Sequence, residues 1–281
     1  MSKICFWMLY FLESIDISIM NISVSIKNLV FRNFLFIVTS CIGMAVFSTQ
    51  VLAEDKTPHW SYGGAGNPTQ WGQLNSEFSL CELGRDQSPI NINDAVKGSP
   101  ANIEFNYKPT PLSVVNNGNT IQVNYQPGST IKINGEEYEL LQFHFHTPSE
   151  HTINGKASAL EMHLVHRNAK KQLAVVGIMM EKGAANQLIE QIWQHIPTVG
   201  KTNIVKSSMI NAANLLPNNK TFFSYSGSLT TPPCSESVKW NVLTKPIQVS
   251  EEQIEAFQSL YQVNARPVQP VNGRRIEFHE Q

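Results

Sequence analysis

The sequence predicts a mainly β fold of the α+β class, in one domain: a mostly antiparallel sheet with a few peripheral helices. Three observations predict it. Strand-like runs follow one another at short intervals from residue 112 onward, turns carrying Gly, Pro or Asn separate them, and helical periodicity surfaces only twice. Apolar residues make up 42% of the 281, with 16 Gly and 15 Pro, which suits a turn-rich globular chain and excludes a disordered one.

Taken in order, residues 58–74 (PHWSYGGAGNPTQWGQL) combine Gly with aromatics and read as an ordered loop laid over the domain. LSVVN, TIQVNY and TIKING then form short strands separated by NNGN and QPGS. Longer strands come next in EYELLQFHFH, ASALEMHLVHR and QLAVVGIMME, followed by TFFSYSG and SVKWNVL. The two helical segments are GAANQLIEQIWQHI and SEEQIEAFQSLYQ; Ser250 and Gln253 stand at capping-box positions of the second.

The first 53 residues are set apart. Lys27 and Arg32 precede an apolar run, FLFIVTSCIGMAVFS, and a small-residue exit with Val51 at −3 and Ala53 at −1. The run is shorter than the roughly 20 residues of a membrane span. We expect residues 1–53 to be an extension and signal peptide, with the true start at Met20 and cleavage after Ala53. The domain is then 54–281, exported to the periplasm or secreted, with no stable membrane span. Lys+Arg number 21 against 22 Asp+Glu, with no basic block, which argues against a nucleic-acid partner. Cys5 and Cys41 fall in the leader; Cys81 and Cys234 remain and are expected to pair in an oxidising compartment.

The chemistry concentrates in LLQFHFHTPSEH (140–151). Successive strand residues point to opposite faces, so His144 and His146 share one face. On the neighbouring strand Glu161, His163 and Val165 share a face; if the two faces meet, three imidazoles converge. Three histidines with an open fourth position is how catalytic zinc is held. Gln142 and Glu161, each two residues before a candidate ligand, are placed to orient a ligand's second ring nitrogen. Glu150 is ambiguous. H-x-H-x-x-x-E followed by Gly155 also fits a cupin, where the glutamate itself would bind iron or manganese. The distant GSLTTPPCSE (227–236) speaks for the other role: Thr230 can accept a proton from a metal-bound hydroxide and donate its own to Glu150. Taken alone, TTPP is no more than a rigid turn.

HWSYGG from 59, DQSPINI, NNG, QFHFHTPSEH, EMHLVH, SLTTPPC and RPVQPVNGR, ending at 274, occur in that order. Together they resemble an α-class carbonic anhydrase of the bacterial, exported kind, over nearly the whole of 54–281. The resemblance implies a central twisted sheet of about ten strands with zinc at the bottom of a conical cleft, bound by His144, His146 and His163. It implies Gln142 and Glu161 behind the ligands, Thr230 as gatekeeper, Glu150 as its carboxylate partner, and Thr231 lining the site. Val165, Val175, Leu229 and Trp240 match the wall against which carbon dioxide rests. Cys81 and Cys234 match the disulfide of exported members. His151 and His166 match structural positions, while His195 and His279 match none.

The implied reaction is reversible hydration of carbon dioxide to bicarbonate by zinc-bound hydroxide, with esterase side activity and no partner beyond the small substrate, in a monomer or homodimer. One position departs from the pattern: Asn119 stands where efficient members carry a proton-shuttling histidine, and an amide has no useful pKa. His59, near the cleft rim in relatives, is the candidate substitute. The rival readings are a non-catalytic zinc-binding protein on the same fold and a cupin-type oxygenase.

Overall fold

The computed structural model describes residues 59–281; the expected leader, the start at Met20 and the cleavage after Ala53 lie outside the described residues. Ten strands form the main path of one sheet. They are β1 (Val96–Lys97), β2 (Thr110–Asn116), β3 (Ile121–Asn124), β4 (Glu136–His146) and β5 (Leu160–Arg167), then β6 (Leu173–Lys182), β7 (Lys201–Ile210), β8 (Phe222–Ser228), β9 (Glu236–Leu243) and β10 (Glu277–His279). Across the sheet the order is β7-β2-β3-β4-β5-β6-β9-β8-β10-β1, and Ile103–Asn106, Thr130–Ile133 and Ile247–Val249 attach beside that path to make thirteen. Neighbours run antiparallel except β6 with β9, β6 with Ile247–Val249, and β10 with β1. The helices are short: α1 (Trp71–Leu74), α2 (Leu80–Leu83), α3 (Gln187–Trp193) and α4 (Glu251–Leu260). Among the described residues, no helix is long and apolar enough to cross a membrane.

Burial explains why the centre of the sheet reads as nearly continuous hydrophobicity. Every residue of β5 but Arg167 is buried. On one face Phe143, Phe145, Met162, Leu164, Val176 and Ile178 pack under Leu188, Ile189 and Ile192 of α3 and Ile254 and Phe257 of α4. The opposite face carries a second cluster around Val165, Val175, Tyr225 and Trp240. Each fully buried Phe, Leu, Ile or Met is worth roughly 1.5–3 kcal/mol, so both faces contribute to stability. The capping box read from Ser250 and Gln253 is formed at the start of α4.

A bulge in β4 decides which face the histidines take. Leu140 pairs with His166 and Gln142 with Val165, which leaves Leu141 without a partner. Tyr138 and Leu140 before it point into the large core, and so do Phe143 and Phe145 after it. One inserted residue therefore switches the alternation from even to odd positions and sends Gln142, His144 and His146 to the other face. Unbroken alternation from Tyr138 would have buried both histidines among apolar side chains.

Cys81 and Cys234 are disulfide-bonded across 153 residues of sequence. The disulfide packs with Trp71, whose indole Nε1 donates to the carbonyls of Ser61 and Gly66 at 3.0 and 2.8 Å. That is how the aromatic, Gly-rich segment is held to the domain. Strand β7 is absent from the sequence reading for a physical reason. It is an edge strand with little alternation, lysines along it, and Ile204 and Met209 61% and 52% exposed.

Candidate metal centre

Beyond the bulge, β4 and β5 bring three imidazoles together. His144 sits directly opposite His163, and His146 opposite Glu161. Ring centroids are 5.0 Å apart for His144–His146, 5.3 Å for His144–His163 and 4.6 Å for His146–His163. One ligand atom from each of the three lies within 4.8 Å of the other two.

The second nitrogen of each ring faces an acceptor. His144 Nδ1 donates to Gln142 Oε1 at 2.9 Å, and His146 Nδ1 donates to the Asn264 carbonyl at 2.7 Å. His163 Nε2 lies 2.9 Å from Glu161 Oε1, though not aligned as a full hydrogen bond. A proton on those three atoms leaves His144 Nε2, His146 Nε2 and His163 Nδ1 with free lone pairs. Among the described residues the buried His146 Nε2 has no hydrogen-bond partner, a costly state for an isolated polar atom and the expected one for a metal ligand. Burial also keeps the rings neutral. It pulls His144 well below the usual imidazole value, reinforced by His146 and His163; it brings His146 down to about 4 and lowers His163. Neutral rings with oriented lone pairs are what metal ligation requires.

A second group, His151, Glu161 and His163, also gathers ligand atoms. Its hydrogen bonds are already made. Glu161 accepts from the His151 amide and from His151 Nδ1, both at 2.8 Å. His151 Nε2 meets the Tyr225 hydroxyl at 2.6 Å, and that hydroxyl meets Ser88 Oγ at 2.8 Å. No lone pair of His151 is left for a metal. Burial pushes the Glu161 carboxyl up, but His151 and His163 outweigh it and hold the group well below the usual carboxylate range. The structural role expected for His151 is thus visible as a clamp on Glu161. His166 is likewise held, with Nε2 2.8 Å from the Tyr107 hydroxyl.

Glu150 is 1% exposed and lies behind the histidines. Its Oε1 accepts from the Arg266 amide at 2.8 Å, and Oε2 lies 3.8 Å from His163 Nδ1. It does not join the three-histidine group, so its position differs from the ligand role of the cupin reading. Burial raises it to about 7, against the opposing pull of His163, the Arg266 amide and the Thr230 hydroxyl. Thr230 is itself buried, and its pull on Glu150 operates without a well-aligned hydrogen bond to Oε2. Val165, Val175 and Trp240 form one buried apolar cluster with Leu229 packed against it. The Trp240 ring lies 4.8 Å from the His163 ring, and its Nε1 donates to the Ser228 carbonyl at 2.9 Å. Thr231 is half-buried in the turn closed by the Cys234 amide at 2.9 Å.

At the shuttle position, the Asn119 carbonyl accepts from Asn264 Nδ2 at 2.9 Å. His59 is exposed, with Nδ1 3.0 Å from the Trp60 carbonyl.

Sequence reasoning missed Asn264 and Arg266. Besides holding His146, Asn264 accepts from the Thr147 amide at 2.7 Å and donates to the Phe145 carbonyl at 2.9 Å. The Arg266 guanidinium, 2% exposed, donates to Gln87 Oε1 and to the carbonyls of Ser88 and Cys81 at 2.8–2.9 Å. Arg266 opens RPVQPVNGR and Asn264 stands two residues before it, but each reaches His146 or Glu150 through a backbone carbonyl or amide that carries no residue-type signature.

A large mixed sheet thus carries three convergent imidazoles, two buried and one half-buried, beside an apolar wall, a candidate site for a metal ion. A family model described as eukaryotic-type carbonic anhydrase matches residues 66–280. A carbonic anhydrase of Nostoc sp. is 44% identical over 247 residues, 84% of this chain and 94% of its own length. One from Klebsiella pneumoniae is 46% identical over 223 residues, 78% of this chain and 90% of its own. A hyperthermostable carbonic anhydrase from an active hydrothermal vent chimney superposes with a TM-score of 0.77 at 46% identity, covering 79% of this chain and 100% of that one. The chain belongs to the eukaryotic-type, or α, carbonic anhydrase family, whose reaction is the hydration of carbon dioxide.

Proposed function

We propose that His144, His146 and His163 hold zinc and that the chain hydrates carbon dioxide there, reversibly, to bicarbonate and a proton. The orphaned Nε2 of His146, buried among two further imidazoles with free nitrogens, carries the reading. Three neutral nitrogen donors without a thiolate suit zinc and leave its fourth position open. When bound, zinc supplies the nucleophile by lowering the pKa of water to about 7, a magnitude taken from carbonic anhydrases as a class.

The protein's own groups do the rest. Gln142, the Asn264 carbonyl and Glu161 keep each ring in the tautomer that presents its free nitrogen. Val165, Val175, Leu229 and Trp240 exclude water and offer carbon dioxide an apolar surface beside the histidines. Thr230, buried near Glu150, would donate its hydroxyl proton to that carboxylate, which would leave its oxygen to accept a proton from the group bound at the open position. Thr231 lines the same turn. Arg266, through its amide, holds Glu150 in place.

Asn119 cannot relay a proton, so export to solvent limits turnover; exposed His59 is the candidate relay. Hydrolysis of activated esters at the same centre follows from the nucleophile. We further propose that 54–281 is the exported form, released from a leader after Ala53. The Cys81–Cys234 disulfide supports an oxidising compartment, periplasmic or extracellular. The oligomeric state we propose is a monomer or homodimer. Stopped-flow carbon dioxide hydration on zinc-loaded protein tests the reading; absence of hydration at full zinc occupancy would overturn it.

A further inference from the structure

His279, which the resemblance leaves without a role, is bonded to a serine on the side of the sheet away from the metal centre. Strand alternation separates the two sides. Tyr225 bonds to His151 behind the histidines, so its neighbour Ser224 points the other way, as do Lys239 and Asn241 on either side of Trp240. Ser224 Oγ lies 2.8 Å from His279 Nε2. His279 Nδ1 lies 2.9 Å from the Ser99 carbonyl, which can only accept, so Nδ1 carries the ring proton and Nε2 is the acceptor for the Ser224 hydroxyl. The imidazole is 5% exposed, stacks on Phe222 at 4.7 Å and covers Gly98, where a Cβ would come within 2.3 Å of the ring. Its orientation is therefore set by packing as well as by hydrogen bonds.

Ser224 and His279 both line a groove of about 420 Å³, within the range that takes small organic ligands. Asn241, level with Ser224 on the adjacent strand, lines it too, and among the described residues its Nδ2 meets only the Lys239 carbonyl, at a long 3.4 Å. Glu277 also lines the groove, with Oε2 3.6 Å from His279 Nε2 and Oε1 held by Arg275 Nε at 2.8 Å.

We propose that Ser224 and His279 are the nucleophile and general base of a second, metal-independent site for small acyl esters. Ser224 Oγ attacks the ester carbonyl and its proton passes to His279 Nε2. Asn241 Nδ2 is the group nearest in register to polarise the carbonyl oxygen. The acyl–oxygen bond of the leaving alcohol breaks, and the alcohol leaves with that proton. Water then attacks the acyl-serine, again giving its proton to His279, and the carboxylic acid and free Ser224 are restored.

The test is covalent labelling of the zinc-loaded full chain with an alkyl fluorophosphonate. The Ser224 Oγ–P bond forms, P–F breaks, and fluoride leaves as the hydroxyl proton goes to His279. Peptide mass spectrometry is expected to find one phosphonyl group on Ser224, and none in Ser224→Ala. His279→Gln should slow labelling about a hundredfold, and His279→Phe, which keeps the stack on Phe222, should do the same. Carbon dioxide hydration, unchanged in all three variants, certifies their folding and separates this site from ester hydrolysis at the metal. Absence of the adduct in the wild type, or equal labelling rates with and without His279, would overturn the proposal.

Discussion

His144 and His163 face each other across adjacent strands with ring centroids 5.3 Å apart and planes at 89°. The pairing exists because Leu141 is bulged out of β4 and the alternation beyond it is reversed. Deleting Leu141 should turn Gln142, His144 and His146 toward the apolar core and Phe143 and Phe145 toward the site. Zinc content by plasma spectrometry is expected to fall to background in any soluble fraction of that variant. Retention of one zinc per chain would show that the bulge does not aim the ligands.

Glu161 Oε1 lies 2.9 Å from His163 Nε2, and the carboxylate is itself clamped by His151. Glu161→Gln keeps the shape but removes the charge facing His163 Nε2. Competition with a chelator should show zinc affinity lower by about 10- to 100-fold. An unchanged affinity would mean that the His163 tautomer is fixed by something else.

How much of this centre was legible in the sequence depends on what each residue uses to act. The three histidines, Gln142 and Glu161 act through side chains at strand spacing, so period and residue type were enough to group them. The bulge was not legible, because Leu141 is one leucine of an apolar pair and nothing in its type marks it as unpaired. Asn264 and Arg266 reach the site partly by a carbonyl and an amide, which every residue has. In the fold, the buried central strands announced themselves, whereas β7 hid behind its exposure and lysines.

Proton export should limit the wild-type enzyme. Hydration rates in stopped flow are expected to rise with imidazole-type buffer concentration, and Asn119→His should reduce that dependence by placing a titratable ring at the shuttle position. His59→Ala should deepen it. Full turnover in dilute buffer, unaffected by His59→Ala, would contradict this view.

Stability should fall on the acid side. Burial brings His166 from 6.5 down to about 3, with Nε2 accepting from Tyr107. Between those values the unfolded chain binds a proton that the folded ring refuses, so stability is complete above about 6.5 and declines as pH falls toward about 3. Urea midpoints measured from pH 7 to pH 4 should therefore drop, and less steeply in His166→Gln. Parallel curves would assign the acid sensitivity elsewhere.

The Cys81–Cys234 bond spans 153 residues of sequence, and chain entropy gives such a closure roughly 4–5 kcal/mol. Cys81→Ser together with Cys234→Ser should lower the unfolding free energy by about that amount. The comparison is of urea curves under non-reducing conditions. A loss below about 1 kcal/mol would show that native-state effects cancel the loop term.

The most direct measurement pairs zinc content with stopped-flow carbon dioxide hydration in wild type and His163→Ala. The wild type is expected to hold one zinc per chain and to hydrate carbon dioxide, and His163→Ala to lose the zinc and nearly all of the activity while keeping its fold by circular dichroism. A folded His163→Ala protein that retained both would contradict the three-histidine centre.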